Sequence, residues 1–403
     1  MSTFKPKDNG LDLPTHLLHT DNADTTGYSA LATPVYRGSS IFFKNTAEQR
    51  REHDPLALSY TYGIRDNPTQ FTLAKKLAEI EGAQHALVCP SGLSAIALVA
   101  QACLKTGDHW CIPDNAYGPV HALAHSLQQD YGIEFSVYES TLVESLKAAV
   151  KTNTRLIWTE SPGSLTFEVP DLRAIVALAQ TLGIPTGIDN TWSAGIALKP
   201  FELGLDFSIQ ALTKYQCGHA DVLLGAVLSN NSRLFAAVER KNRLYGLGVS
   251  PEDCSLVLRG LYTLPLRFEA QAKTALDLAH WLSLHPAVKT VLHPALPSCP
   301  GHAWFKRDFT GAASVFAVTL HQRFSDADAC AVIDRLKLFR IAYSWGGPES
   351  LGLVVNIPDS RRAHLMSLLG ECGPMLRLAV GLETFRDLKA DLEQALGVLN
   401  PGA

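Results

Sequence analysis

From about residue 70 the chain alternates short apolar runs with stretches of helical period. Asn67-Pro68-Thr69 is a helix-start signal, the run Phe71–Glu81 places apolar residues at helical spacing, and Gly82 suits the helix end. Ala86–Cys89, His109–Ile112, Arg155–Thr159, Pro185–Asp189, Phe207–Gln210 and Val222–Val227 read as buried strands, with helical stretches such as Leu172–Leu182 between several of them. Strand and helix in alternation predict an α/β fold with a mostly parallel sheet covered on both faces.

The texture changes after about residue 255. A long amphipathic stretch, Phe268–Leu284, precedes the strand-like runs Ser314–Leu320, Leu351–Val355 and Leu376–Val380, with helical stretches between them and a last helix over Phe385–Leu399. More helix and fewer strands predict a smaller α+β domain. Residues 1–60 show weak periodicity and many turn formers. The expected organisation is therefore an extended arm over 1–60, an α/β domain over 61–255 and an α+β domain over 256–403, with no repeat or flexible linker between them.

Composition changes this picture little. Hydrophobic residues make up 46% of the 403 positions and charged residues 18%, an ordinary globular balance. Lys and Arg total 35 against 39 Asp and Glu, a net charge of −4, so no basic surplus points to nucleic acid. No apolar run approaches the roughly 20 residues of a membrane span. Met1–Gly10 is polar and lacks a signal-peptide core, so cytoplasm is the expected compartment. The eight cysteines are scattered without a Cys-x-x-Cys pair. They read as reduced thiols, not as a disulfide framework or zinc site.

The informative run is Ser208–Asp221, with Lys214 directly after an apolar strand, beside Thr213 and before Gly218-His219. Such a lysine suits a Schiff base to pyridoxal phosphate; the bland alternative is a solvated lysine at a strand end. That cofactor also needs an anion at its pyridine nitrogen, a phosphate cradle, a stacking ring and an anchor for the substrate carboxylate. Asp189 ends the run Pro185–Asp189 and offers the anion, or caps the next helix. Ser91-Gly92-Leu93 would open a helix whose free N–H groups suit phosphate; an ordinary helix cap reads the same way. Thr213 and Ser208 could add hydroxyls, and Tyr62 and Arg65 a phenol and a charge. Tyr117, in the loop Asn115–Pro119, could stack on the ring or simply pack. Arg377 lies between apolar neighbours on a strand and needs a carboxylate, either a substrate's or a nearby glutamate's.

Together these runs resemble the pyridoxal-phosphate enzymes of Cys/Met metabolism, which have the aspartate-aminotransferase-like fold type I. The resemblance rests on Tyr62–Thr69, Ser91–Leu93, Asn115–Gly118, Asp189–Thr191, Ser208–Asp221 and Arg377–Leu382. It implies that Lys214 is the Schiff-base lysine, Asp189 the pyridine partner and Tyr117 the stacking ring. It also implies that Gly92, Leu93 and Thr213 hold the phosphate, while Ser344, Trp345 and Arg377 shape the substrate side. Tyr62 and the nearby arginine would reach a neighbouring subunit's cofactor, giving catalytic dimers assembled into a homotetramer. Within the family, Tyr343–Leu351, His293–Pro297 and Lys306–Gly311 resemble the branch that cleaves cystathionine by β-elimination. A sulfur amino acid is then the expected substrate, with cysteine or cystine C–S cleavage and γ-elimination or γ-synthesis as alternatives. Two positions depart from the family pattern. Many relatives carry Tyr-x-Arg, whereas here Ile64 stands two after Tyr62 and the arginine is Arg65. Ala211 stands where some relatives have a serine.

Overall fold

The computed structural model describes residues 11–19, 30–52, 54–56, 59–64 and 67–399. Among them, seven strands form the first sheet: β1 (His85–Cys89), β2 (His109–Pro113), β3 (Glu134–Tyr138), β4 (Thr154–Glu160), β5 (Thr186–Asp189), β6 (Phe207–Gln210) and β7 (Gly225–Ser229). Their order is β1-β7-β6-β5-β4-β2-β3. The pairs β2–β3, β2–β4, β4–β5 and β5–β6 are parallel, and β7 runs antiparallel to both of its neighbours. The sheet is thus mostly parallel, as the alternating pattern predicts. β2, β6 and β7 are wholly buried; β2 and β7 carry apolar runs, whereas β6 also buries Ser208 and Gln210.

A second sheet holds β8 (Val288–Leu292), β9 (Val315–Leu320), β10 (Arg340–Ile341), β11 (Leu351–Val355) and β12 (Met375–Ala379), in the order β10-β11-β12-β9-β8. Only β10–β11 is parallel. The helix Leu264–Leu282 lies between the two sheets in sequence, and its residues Ala275, Leu278, Ala279 and Leu282 enter the second sheet's core.

Three strands lack a clear apolar signature. β3 and β8 are edge strands with polar positions, and β10 has two residues. The first 60 residues, expected as an extended arm, include two short helices, Leu13–His19 and Thr46–Gln49. Leu17 is fully buried, and its carbonyl accepts a bond from Lys76 Nζ at 3.0 Å.

The topology brings chemistry to one edge. β1, β2, β4, β5 and β6 all run in one direction, so the segments after them emerge together at their C-terminal ends, where open α/β sheets hold ligands. Cys89 is followed there by Ser91-Gly92. Gly225 pairs with Cys89, and a Cβ on it would stand 2.2 Å from the Ser91 carbonyl oxygen. β7 therefore closes on the Ser91 turn only because position 225 has no side chain.

Gly225→Ala is expected to cost about 1–3 kcal/mol by overpacking against backbone. A denaturation midpoint unchanged from the wild type would show that this turn yields instead.

Candidate functional site

Ser91 caps the helix Gly92–Cys103. Its hydroxyl accepts from Ser94 N–H at 3.0 Å, and the Ser94 hydroxyl accepts from Ser91 N–H at 2.8 Å. This reciprocal cap satisfies two of the four open N–H groups of the first turn. The amides of Gly92 and Leu93 remain at the open end, as helix geometry requires. A Cβ on Gly92 would stand 2.8 Å from the Ala211 methyl, so the helix start is pressed against the segment leading to Lys214. A serine at 211 would have to fit beside that contact, which gives Ala211 a packing reason.

Lys214 follows β6 in a tight turn, and its amine donates to Ser344 Oγ at 2.6 Å. The amine also lies 5.2 Å from the centroid of the Trp345 ring. Burial, and then the charge of Arg377, push the amine down to about 8, against a pull from Asp189. Arg377 in turn donates to the Ser344 carbonyl at 3.0 Å, and burial lowers its own pKa. Ser344 has a left-handed backbone, φ 80°, as does Gly346, φ 81°. A serine held in that conformation is strained, and here it joins both cations. Trp345 packs on Tyr215, ring centroids 5.3 Å apart, and Tyr215 exchanges hydrogen bonds with Ser314 at 2.8 Å.

Asp189 ends β5. One carboxylate oxygen accepts from Thr191 N–H at 3.0 Å, and the Thr191 hydroxyl accepts from Ala211 N–H at 2.9 Å. The helix cap weighed from sequence is not what forms, since Asn190 precedes the short turn Thr191–Ser193, but the Thr191 bond steadies the carboxylate. Burial raises the Asp189 pKa against those bonds. Among the described residues no lysine or arginine forms a salt bridge with it, so a cationic ring nitrogen fits this carboxylate better than water would.

Glu160, which sequence reasoning missed, pairs in register with Asp189 at the end of β4. Its carboxyl accepts from Tyr117 N–H at 2.6 Å. Burial, then the Asp189 charge, raise its pKa well above the carboxylate range. Burial raises both carboxyls; Lys214 pulls on Asp189 in the opposite sense, and Arg361 on Glu160. The signal was available: a carboxylate just past an apolar run, as for Asp189. Tyr117 itself is half exposed, at 46%, and burial with the nearby Asp189 and Glu160 raises its phenol pKa.

Other expected residues are placed differently. The Thr213 hydroxyl donates to the Leu224 carbonyl and accepts from Leu224 N–H, both at 3.2 Å. To bind a phosphate it would have to turn its proton away from Leu224. The Ser208 side chain is fully buried, and its hydroxyl lies against Glu81, whose pKa it lowers, rather than reaching the Lys214 group. Tyr62 is exposed, bridges Ser40, and makes no described contact with the Lys214 group. Arg65 lies outside the described residues. Ile64 packs against the Gly246–Gly248 turn, 2.9 Å from where a Gly248 Cβ would stand, so position 64 serves packing within the chain. Among the described residues no group of His, Cys, Asp and Glu could hold a metal ion.

A family model described as Cys/Met metabolism PLP-dependent enzyme matches residues 14–397. The chain is similar to the cystathionine beta-lyase of Haemophilus influenzae, 34% identical over 391 residues that cover 95% of this chain and 97% of that one. It is also similar to the L-alanine/L-glutamate racemase of Wolbachia pipientis, 35% identical over 376 residues, 91% of this chain and 92% of that one. Among solved structures, the cystathionine gamma synthase of Xanthomonas oryzae pv. oryzae in complex with aminoacrylate and cysteine superposes with a TM-score of 0.87. It is 30% identical and covers 96% of this chain and 98% of that one.

Lys214 in the cofactor-free protein is expected to reach half-maximal reactivity toward an amine reagent near pH 8, against an ordinary value of 10.5. Arg377→Met removes a positive neighbour and should raise that midpoint; Asp189→Asn removes a negative one and should lower it further. Labelling across pH, read at the Lys214 peptide, checks both signs. An unshifted midpoint in either variant contradicts the charge arrangement.

Proposed function

This chain belongs to the PLP-dependent enzymes of Cys/Met metabolism, and we propose that within them it is a carbon–sulfur lyase cleaving L-cystathionine by α,β-elimination. The products are homocysteine, pyruvate and ammonia, with water consumed. The observation that carries this reading is the shared hold of Ser344 on the Lys214 amine and the Arg377 guanidinium. A guanidinium that grips an α-carboxylate beside a depressed amine puts the amino acid's Cα proton next to a base.

The residues that would hold the cofactor are Lys214, Asp189, Tyr117 and the Gly92 and Leu93 amides, with Thr213 after its hydroxyl turns. When bound, pyridoxal phosphate supplies an electron-accepting ring for the charge left at Cα. Asp189 would supply the negative charge that keeps the ring nitrogen protonated. Lys214, whose amine pKa is lowered by burial and Arg377, would take the Cα proton and return a proton to the departing sulfur. Trp345 and Ser344 line the amine, limiting water around it. Tyr62 and Arg65 act on a neighbouring copy's phosphate, which requires a catalytic dimer, and two such dimers form a tetramer. The arm over 1–60, the cofactor domain over 61–255 and the smaller domain over 256–403 describe the division of labour. Cytoplasmic methionine biosynthesis is the setting in which this activity fits. Among the described residues no helix is long and apolar enough to cross a membrane.

A second reading follows from the racemase relative. A lysine that removes a Cα proton and returns one to the other face racemises, provided no leaving group departs. The two readings differ in product, not in the first proton transfer.

Assays with cystathionine, cystine, methionine and L-alanine separate the possibilities. The proposal expects pyruvate with homocysteine from cystathionine as the fastest reaction; 2-oxobutyrate would indicate γ-elimination, and D-alanine without pyruvate a racemase. Lys214→Ala should abolish turnover. Arg377→Ala should lower kcat/KM by roughly a hundredfold or more, the loss of about 3 kcal/mol that a charge-assisted carboxylate grip provides. Unchanged kinetics in the arginine variant would remove Arg377 from the substrate side.

A further inference from the structure

β11 and β12 are antiparallel neighbours, which a short turn could join. Instead the connection carries an 11-residue helix, Asp359–Leu369, that leaves the second sheet and meets the loops at the end of the first. Arg361, 6% exposed, is the deeper contact. Its guanidinium donates to the Ser164 carbonyl at 2.9 Å, to Glu168 Oε1 at 2.6 Å and to the Thr166 hydroxyl. A buried guanidinium is costly unless its donors are used, and here one loop uses them.

That loop is strained. Leu165 and Phe167 both have left-handed backbones, φ 71° and 57°. Such conformations persist only where the surroundings hold them. The same loop props the next one: Ser164 N–H donates to the Asn115 carbonyl at 2.8 Å. Gly163 lies so close to Asn115 that a Cβ would stand 2.3 Å from its amide nitrogen. One turn along the helix, His364 bonds Asp114 at 2.5 Å and the Thr141 hydroxyl at 3.1 Å. Asp114 is held further by Ser140 N–H at 2.9 Å. The bond to Asp114 raises the His364 pKa against the effect of burial, with Glu139 and Glu168 adding to the rise. The helix thus grips Asp114 directly and Asn115 through the Ser164 loop, both shortly before Tyr117, and leads on to the strand that carries Arg377.

We propose that Arg361 and His364 are positioning residues, which through Asn115 and Asp114 set Tyr117 relative to Arg377 and so fix the cofactor ring against the substrate's carboxylate anchor. This deepens the functional reading above and rests on it. Neither side chain touches the Lys214 group, so their effect passes through Tyr117.

The test uses the full-length protein with pyridoxal phosphate. Arg361→Met and His364→Gln are each expected to alter the visible circular dichroism of the bound cofactor. Each should also weaken its binding roughly two- to tenfold, the range an aromatic stacking contact contributes. In a Tyr117→Ala background the same substitutions should add no further loss. Wild-type affinity and dichroism in both variants would overturn the inference. So would an equal further loss in the Tyr117→Ala background, which would mark general damage. Should Arg361→Met fail to fold, His364→Gln, which keeps a polar group for Thr141, carries the same comparison. Wild-type protein that takes up no pyridoxal phosphate overturns the functional reading and this inference together, whereas wild-type uptake with unchanged variants overturns this inference alone.

Discussion

Two cations held by one strained serine are the constraint on which the site depends. Lys214 and Arg377 come from different sheets, and both bond Ser344, one to its hydroxyl and one to its carbonyl. Each cation is part-buried, and Arg377 makes the Lys214 charge harder to keep. Lys214 responds because an ammonium can release its proton, while a guanidinium stays charged. The result is an amine poised near neutrality beside a permanent cation. That combination suits an amino acid, whose carboxylate needs the cation and whose Cα proton needs the base.

The fold makes this arrangement possible by direction alone. Parallel strands deliver Glu160, Asp189 and Lys214 to a single edge, and the antiparallel β7 closes that edge at Gly225. Two carboxyls side by side could not both stay charged there. Burial raises both pKa values and the Asp189 charge raises that of Glu160 further, while Glu160 accepts from the Tyr117 backbone and Asp189 from that of Thr191. The second sheet supplies Arg377 and, through the helix Asp359–Leu369, a brace on the loops across the site.

Much of this was legible in the sequence, for a physical reason. Strands buried on both faces are mostly apolar, so a charged residue at or soon after the end of such a run stands out, as Asp189 and Lys214 do. Ser91-Gly92 was legible because a helix start has few chemical solutions. Glu160 carried the same signal as Asp189 and was passed over. Edge strands β3 and β8 were hidden because one open edge tolerates polar positions. Arg361 and His364 could not be read at all. Their partners Ser164, Glu168 and Asp114 are brought to them only by the tertiary fold, and a polar helix face looks solvated in sequence. The Thr213 hydroxyl was legible as a donor, but its bond to Leu224 was not. Arg65, expected at the phosphate, lies outside the described residues, and Ile64 beside it is used for packing against Gly248.

The central claim is that the Lys214 amine carries the cofactor. Borohydride reduction of the protein loaded with pyridoxal phosphate, followed by digestion and mass spectrometry, tests it directly. The account predicts one phosphopyridoxyl group, on Lys214, in the peptide that contains Thr213 and Tyr215. A label on another lysine, or none after visible cofactor uptake, would contradict it.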